Sequence, residues 1–190
     1  YSLESKKSNE VTDGWYDASQ PVFSSDGKYL FFVSDRDFNP LYSATEWNHA
    51  YQDMSRIYFV TLAKDTDSPF KPKSEEVSIK EEKKEEKKDA KDKKDKKDEE
   101  KKEEKAVVVK VDIDGLKDRI ASLPIQAANY GNVNSVGSTV YYIRRGSKDE
   151  QAQFFMYDLS EQKETNLGEI GGYEISADQK KMLVSKDRSY

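Results

Sequence analysis

Residues 21–36 read PVFSSDGKYLFFVSDR, and a degraded copy, EISADQKKMLVSKDR, returns at 174–188. In the first copy a short apolar run ending at Phe23 meets Ser24-Ser25-Asp26-Gly27. Asp-Gly tolerates positive φ, so this junction predicts a tight hairpin. The run that follows, Tyr29-Leu30-Phe31-Phe32-Val33, does not alternate apolar with polar, and both of its faces must therefore be covered. A strand of that kind belongs inside a stack of sheets, and a repeated strand-turn-strand unit predicts an array.

A third copy, VNSVGSTVYYI at 133–143, keeps a turn glycine at Gly137 and sets Val140–Ile143 where the first copy has Leu30–Val33. With Ser24, Asn134 and Ser176 placed in register, the last two lie 42 residues apart, the length of one four-stranded propeller blade. The first interval is 110 residues, or 84 once the 26-residue run Lys80–Lys105 is set aside. One enlarged blade is the preferred reading, because 38–79 offers only RIYFVTL, Arg56–Leu62, as a convincing strand. Strands are expected at Pro21–Ser24, Tyr29–Val33, Arg56–Leu62, Val107–Ile113, Arg119–Leu123, Val140–Ile143, Phe154–Leu159, Glu174–Ser176 and Met182–Ser185. Val107–Ile113 and Arg119–Leu123 flank Asp114-Gly115 as an outer hairpin.

The fold class that follows is all-β, a fragment of a propeller of four-stranded antiparallel blades with a disordered charged insertion. The expected divisions are 1–17, the end of a preceding blade; 18–126, an enlarged blade with low-complexity insertion 80–105; 127–169, a second blade; and 170–190, the start of the next. Four blades need roughly 168 residues, whereas 164 of the 190 lie outside the charged run. The stretch is expected to be part of a ring rather than a closed one, with the faces of the Phe31/Val33 and Leu183 strands partly uncovered.

The run Lys80–Lys105 holds 13 Lys against 12 Asp and Glu with one Ala. Its first half, EEKKEEKK, stacks like charges at i and i+4, which weakens a helix. It offers nothing apolar to dock, and a solvated, mobile insert is expected, with a partner-docking tether as the alternative. Outside it 19 basic groups face 25 acidic ones, within a whole-chain charge of −5. Lysines are interleaved with carboxylates throughout, so no nucleic acid partner is expected. No apolar run approaches the length of a membrane span. The chain has no cysteine, which excludes a disulfide framework and a thiolate nucleophile.

TDGWYDASQPVFSSDGKYLFFVSDRDFNP at 12–40, RIYFVTL, DTDSPFKPKSEE at 65–76 and VDIDGLKDRIASLP at 111–124 resemble the β-propeller region of tricorn-type proteases. The strand-turn pattern alone is shared with TolB-like and prolyl-oligopeptidase-type propellers; SDRDFNP, SPFKPKS and IDGLKDRI are more diagnostic. The resemblance implies a piece of one propeller, the second, ahead of a PDZ-like domain and a serine peptidase core. It implies a non-catalytic role in filtering or channelling peptide substrates toward that core. The expected partners are peptide substrates and the remaining domains of the parent peptidase, with a homo-oligomer possible through the parent. A cytoplasmic location is implied, a periplasmic one being the alternative. A free-standing TolB-like propeller used as an interaction scaffold is the alternative function.

No catalytic, cofactor-binding or metal-binding residue is expected in this stretch. His49 is the lone histidine and is read as a loop residue, since one His without a second ligand makes no metal cluster. Asp35-Arg36-Asp37 is read as an ion-pair cluster closing a blade edge, without the Asp-x-Asp-x-Asp-Gly spacing of a calcium loop. Asp53 belongs to the same weak carboxylate set. Arg144, Arg145 and Arg188 follow inner strands and are expected to meet water or the channel. Phe38, Tyr42, Trp47 and Tyr51 fall in the loop between the second and third strands. Such loops emerge at the ends of a propeller channel, where aromatic rings could contact an extended peptide or fold down on their own blade.

Because 80–105 has almost no apolar surface to bury, replacing it by a short Gly/Ser bridge in the parent protein should change unfolding free energy by less than about 1 kcal/mol. Denaturant titration of the two proteins measures it.

Overall fold

A computed structural model describes residues 1–38, 40–42, 49–72, 109–186 and 189, with the side chains at 41, 42, 49 and 50 excluded. The whole charged insertion, 80–105, and with it Trp47 and Arg188, lies outside the described residues. The chain divides into two units, Tyr1–Phe70 with Val107–Tyr190, and Lys71–Ala106. The first unit is built from strands β1 (Ala18–Phe23), β2 (Tyr29–Ser34), β3 (Pro40–Tyr42), β4 (His49–Tyr51), β5 (Arg56–Thr61), β6 (Ile120–Ser122), β7 (Asn129–Val136), β8 (Thr139–Arg145), β9 (Gln153–Asp158), β10 (Lys163–Gly168), β11 (Gly172–Ile175) and β12 (Met182–Ser185). They form antiparallel sheets of order β1-β2-β5-β6 and β10-β9-β8-β7, and the pairs β11-β12 and β3-β4.

The unbroken apolar run of β2 is explained by what lies on each side of it. Phe31 and Val33 point into a cluster with Ile57 and Phe59 of β5 and with Val140, Tyr142, Phe155 and Tyr157 of the second sheet. Phe32 faces the other way, stacked on Tyr58, while Leu30 packs on Val60, Leu62, Leu116 and Val11. Phe70, from the segment SPFKPKS, wedges between the sheets with its ring 5.6 Å from Phe59 and 6.1 Å from Tyr157. Gln162 Nε2 holds that wedge by donating to the Pro69 carbonyl. Burying such a ring stabilises by about 1.5–3 kcal/mol, so the inter-sheet seam is the main hydrophobic core.

Adjacent inner strands are joined by a repeated clasp. The pairing register slips between Ser19 and Val22 in β1 and between Gly131 and Asn134 in β7, and within each slip one residue sits at positive φ, Gln20 at 52° and Asn132 at 50°. A bulge of this kind re-aims a side chain. Gln20 Nε2 donates to the Tyr130 carbonyl of β7, and Asn132 Nδ2 donates to the Tyr173 carbonyl of β11, both at 2.9 Å. Tyr173 returns the bond from its hydroxyl to the Asn132 carbonyl. Burial pushes the Tyr173 phenol up to about 12, so it remains a donor at neutral pH.

The turns repeat as well. Ser24 Oγ donates to Asp26 and accepts from Lys28 N–H; Ser176 Oγ donates to Asp178 and accepts from Lys181 N–H. Gly27 and Gln179 occupy the same left-handed place, at φ 70° and 55°. The middle copy differs. Phe23 pairs with Leu30 and Ser135 with Val140, so the β7–β8 turn is two residues shorter and Val136, not Asn134, is the counterpart of Ser24.

Val109–Ile113 is not a strand, against the expected outer hairpin, and residues 107 and 108 lie outside the described set. Arg119 supplies the reason. Its guanidinium donates to the carbonyls of Thr61, Leu62, Asp112 and Asp114, and with the single backbone bond from Asp112 N–H to Leu62 C=O these fasten the segment in place of a ladder. Val109, Val111 and Ile113 are left exposed. The structure also adds β7, absent from the expected strands, β10, whose sequence KETNLG lacks an apolar pattern, and the β3–β4 pair. Phe31 and Val33 are buried by the second sheet rather than uncovered; Leu183 is exposed as expected.

Asn132→Gly keeps the backbone conformation and loses the bond to the Tyr173 carbonyl with the exposed one that Asn132 Oδ1 accepts from Asn134 Nδ2, at a cost of about 1 kcal/mol. Asn132→Ala must in addition hold a Cβ in the left-handed region and should cost about 1–2 kcal/mol more. Thermal or chemical unfolding of both variants in the parent protein checks the order.

Candidate functional site

Antiparallel strands return their loops alternately to two ends, and hydrogen bonds gather one set of loops. Asp17 C=O accepts from Asp35 N–H and Ser34 Oγ, Asp37 N–H donates to Met54 C=O, and Ala128 N–H donates to Ser55 C=O. Asp53, itself at φ 52°, accepts both the N–H and the hydroxyl of Ser147 from the β8–β9 loop. That carboxylate ties the first sheet to the second across 94 residues of sequence.

Between these loops lies a cleft of about 420 Å³ with walls at Asp37–Phe38, Gln52–Asp53, Arg56, Gln126–Ala127 and Gly146–Asp149. Its floor is polar and braced. Arg56 Nη2 meets Asp37 at 2.7 Å, while Asp149 accepts from Gly146 N–H. Arg56 Nε is buried without a hydrogen-bond partner. Tyr58 OH approaches Asp37 at 3.4 Å, and burial followed by the Asp37 charge raises its phenol above the ordinary value.

Phe38 on the cleft wall and Tyr51 beside it are 72% and 52% exposed, with ring centroids 5.5 Å apart. The structure thus brings together two of the four expected contact residues. Tyr42 lies in β3 and His49 in β4, with no description of either side chain. Trp47 falls outside the described residues. The expected Asp35-Arg36-Asp37 cluster is not one ion-paired unit: Asp35 accepts from Ser55 Oγ, Asp37 pairs with Arg56, and Arg36 lies over the rings of Tyr16, Phe32 and Tyr58. Three faces of π-density beside it hold the guanidinium better than two carboxylates already bonded elsewhere. Arg144 is largely withdrawn from water; it stacks 3.9 Å over Phe155 and bonds Glu164. The sequence reading did not weigh the β8–β9 loop or Arg56, since no local pattern marks a loop that will lie across a cleft.

A family model described as the tricorn protease second beta propeller domain matches residues 1–190. The chain belongs to that family. It is 30% identical to tricorn protease homolog 1 of Streptomyces coelicolor over 94% of its own length and 17% of that protein's. It is 26% identical to the tricorn protease homolog of Saccharolobus solfataricus, covering 96% of this chain and 15% of the relative. Its fold matches a crystal structure of the tricorn protease with TM-score 0.68 and 17% identity, over 97% of this chain and 16% of that one. The chain spans under a fifth of the length of these relatives. The four-stranded sheets are therefore propeller blades, β1 and β7 being their inner strands. Among the described residues no helix is long and apolar enough to cross a membrane.

Asp53→Ala removes both acceptors of Ser147. Amide exchange at Ser147 and Lys148 should accelerate by about fivefold or more, each lost bond being worth about 1 kcal/mol, while the inner-strand amides of β7 keep their protection.

Proposed function

We propose that this propeller segment is a non-catalytic part of a serine-type peptidase, contacting peptides as they pass toward a catalytic core carried elsewhere in the parent protein. The observation that carries the reading is the exposed Phe38–Tyr51 pair, whose Phe38 lines a braced cleft. Two apolar rings held at a fixed separation offer broad contact to any extended chain, with a polar tip on one of them. The blades are 18–126, 127–169 and the beginning of one at 170–190, with 1–17 closing the blade before them. The parent is cytoplasmic in this reading, and its other domains and passing peptides are the partners. A free-standing scaffold is the second reading, favoured by the same rings if their partner is a folded protein.

Contacts made during capture and not during bond cleavage act on kcat/KM for substrates long enough to touch them. Phe38→Ala with Tyr51→Ala in the intact parent should lower kcat/KM for long peptides by roughly 3- to 30-fold, the loss of about 1–2 kcal/mol of apolar contact. Short peptides should be turned over nearly as before. Equal losses at both lengths, accompanied by a lower melting temperature, would reject the capture role in favour of blade stability.

A further inference from the structure

The exposed rings at the cleft end extend beyond Phe38 and Tyr51. Trp15 and Tyr16, 84% and 48% exposed, precede β1 and belong to the same end, because Asp17 C=O accepts from Asp35 N–H and Arg36 lies 5.4 Å over the Tyr16 ring. Tyr16, Arg36, Tyr58, Asp37 and Phe38 form an unbroken line of contacts from this pair to the cleft. Two pairs of aromatic side chains thus mark one track.

Charge chooses the occupant. Four cations along the track are engaged, Arg36 by three rings, Arg56 by Asp37, Arg144 by Glu164 and Arg145 by the Glu150 carbonyl, while Lys148 on the cleft wall, away from the Trp15 end, has no ion pair among the described residues. The carboxylates of Asp13, Asp17 and Asp35 have no cationic partner among the described residues; Asp13 accepts only from Trp15 N–H and Asp35 only from Ser55 Oγ. At the opposite end Lys28–Asp26, Lys64–Asp114 and Lys110–Asp65 pair their charges, although Asp118 and Glu161 there have no cationic partner among the described residues. A lysine or arginine passing the Trp15 end meets unpaired carboxylates and open π-faces together, and both attract it.

We infer that the track from Trp15–Tyr16 to Phe38–Tyr51 docks extended peptides in which basic residues alternate with apolar ones. This rests on the peptide-contact reading above and names the class of peptide. Acidic peptides are repelled at the same place, so the track selects by charge as well as by extension.

The test uses the intact parent protein and three labelled 12-residue peptides made of D-residues to resist cleavage: repeats of Gly-Lys-Phe, Gly-Gln-Phe and Gly-Glu-Phe. Fluorescence anisotropy at low salt should show the lysine peptide bound roughly tenfold more tightly than the glutamate peptide, the preference shrinking as salt screens it. Asp13→Lys with Asp17→Lys should bring the ratio to within about twofold. The control double variant Asp118→Lys with Glu161→Lys makes the same change of net charge at the other end and should leave the ratio unaltered. No charge preference in the wild type, or a ratio that the track variant does not alter or that the control alters equally, overturns the inference. Phe38→Ala with Tyr51→Ala separates the two levels: weaker binding of all three peptides supports peptide contact even where charge selection fails, and unchanged binding of all three overturns both.

Discussion

Gln20 and Asn132 hold the array in shape. Each blade leaves the edge of its inner strand without a ladder partner, and an unpaired edge invites pairing with another chain. Here the edge is interrupted by a bulge, and the residue at its left-handed position turns its amide onto the carbonyl of the next inner strand. One neutral bond of this kind contributes only about 1 kcal/mol, far less than the rings packed behind it. Its effect is directional: a seam of Phe, Tyr and Val side chains tolerates sliding, whereas an amide aimed at one carbonyl does not.

Two motifs that read as family signatures turn out to have separate mechanical roles. Phe70 of SPFKPKS is the wedge in the seam between blades, touching Phe59 on one side and Tyr157 on the other. Arg119 of IDGLKDRI gathers four carbonyls from the ends of β5 and the returning segment. Its fork of donors replaces a strand pairing at the place where the long insertion interrupts the blade. A lysine has neither the reach nor the planar geometry to do so.

The inner hairpins were legible because Asp26-Gly27 and the two-sided run Tyr29–Val33 are local signals, and a repeat multiplies them. β10 was not legible: KETNLG is an edge strand facing water, with Glu164 reaching past β9 to bond Tyr142 and Arg144 of β8. VVVKVDI invited the opposite error. Its alternation resembles a strand, yet the residues past 108 are fastened by Arg119 and by the Lys110 and Lys64 ion pairs. At the site, Phe38 and Tyr51 were readable as loop aromatics. Their wall at Gly146–Asp149 was not, because the Asp53–Ser147 bonds that bring it there join loops with no shared pattern.

The two ends of the sheets differ for a reason rooted in turn chemistry. At one end β1–β2, β7–β8 and β9–β10 are closed by short turns whose Ser, Asp and Gly side chains and backbones satisfy one another, leaving little to offer a ligand. At the other end the chain must cross between blades and span longer loops, and its aromatic side chains find no core large enough to take them all. Rings left exposed there are held in place by backbone bonds between loops rather than by burial. In the capture reading proposed above, a surface that is apolar, fixed and bordered by unpaired carboxylates would meet a passing chain without first reorganising.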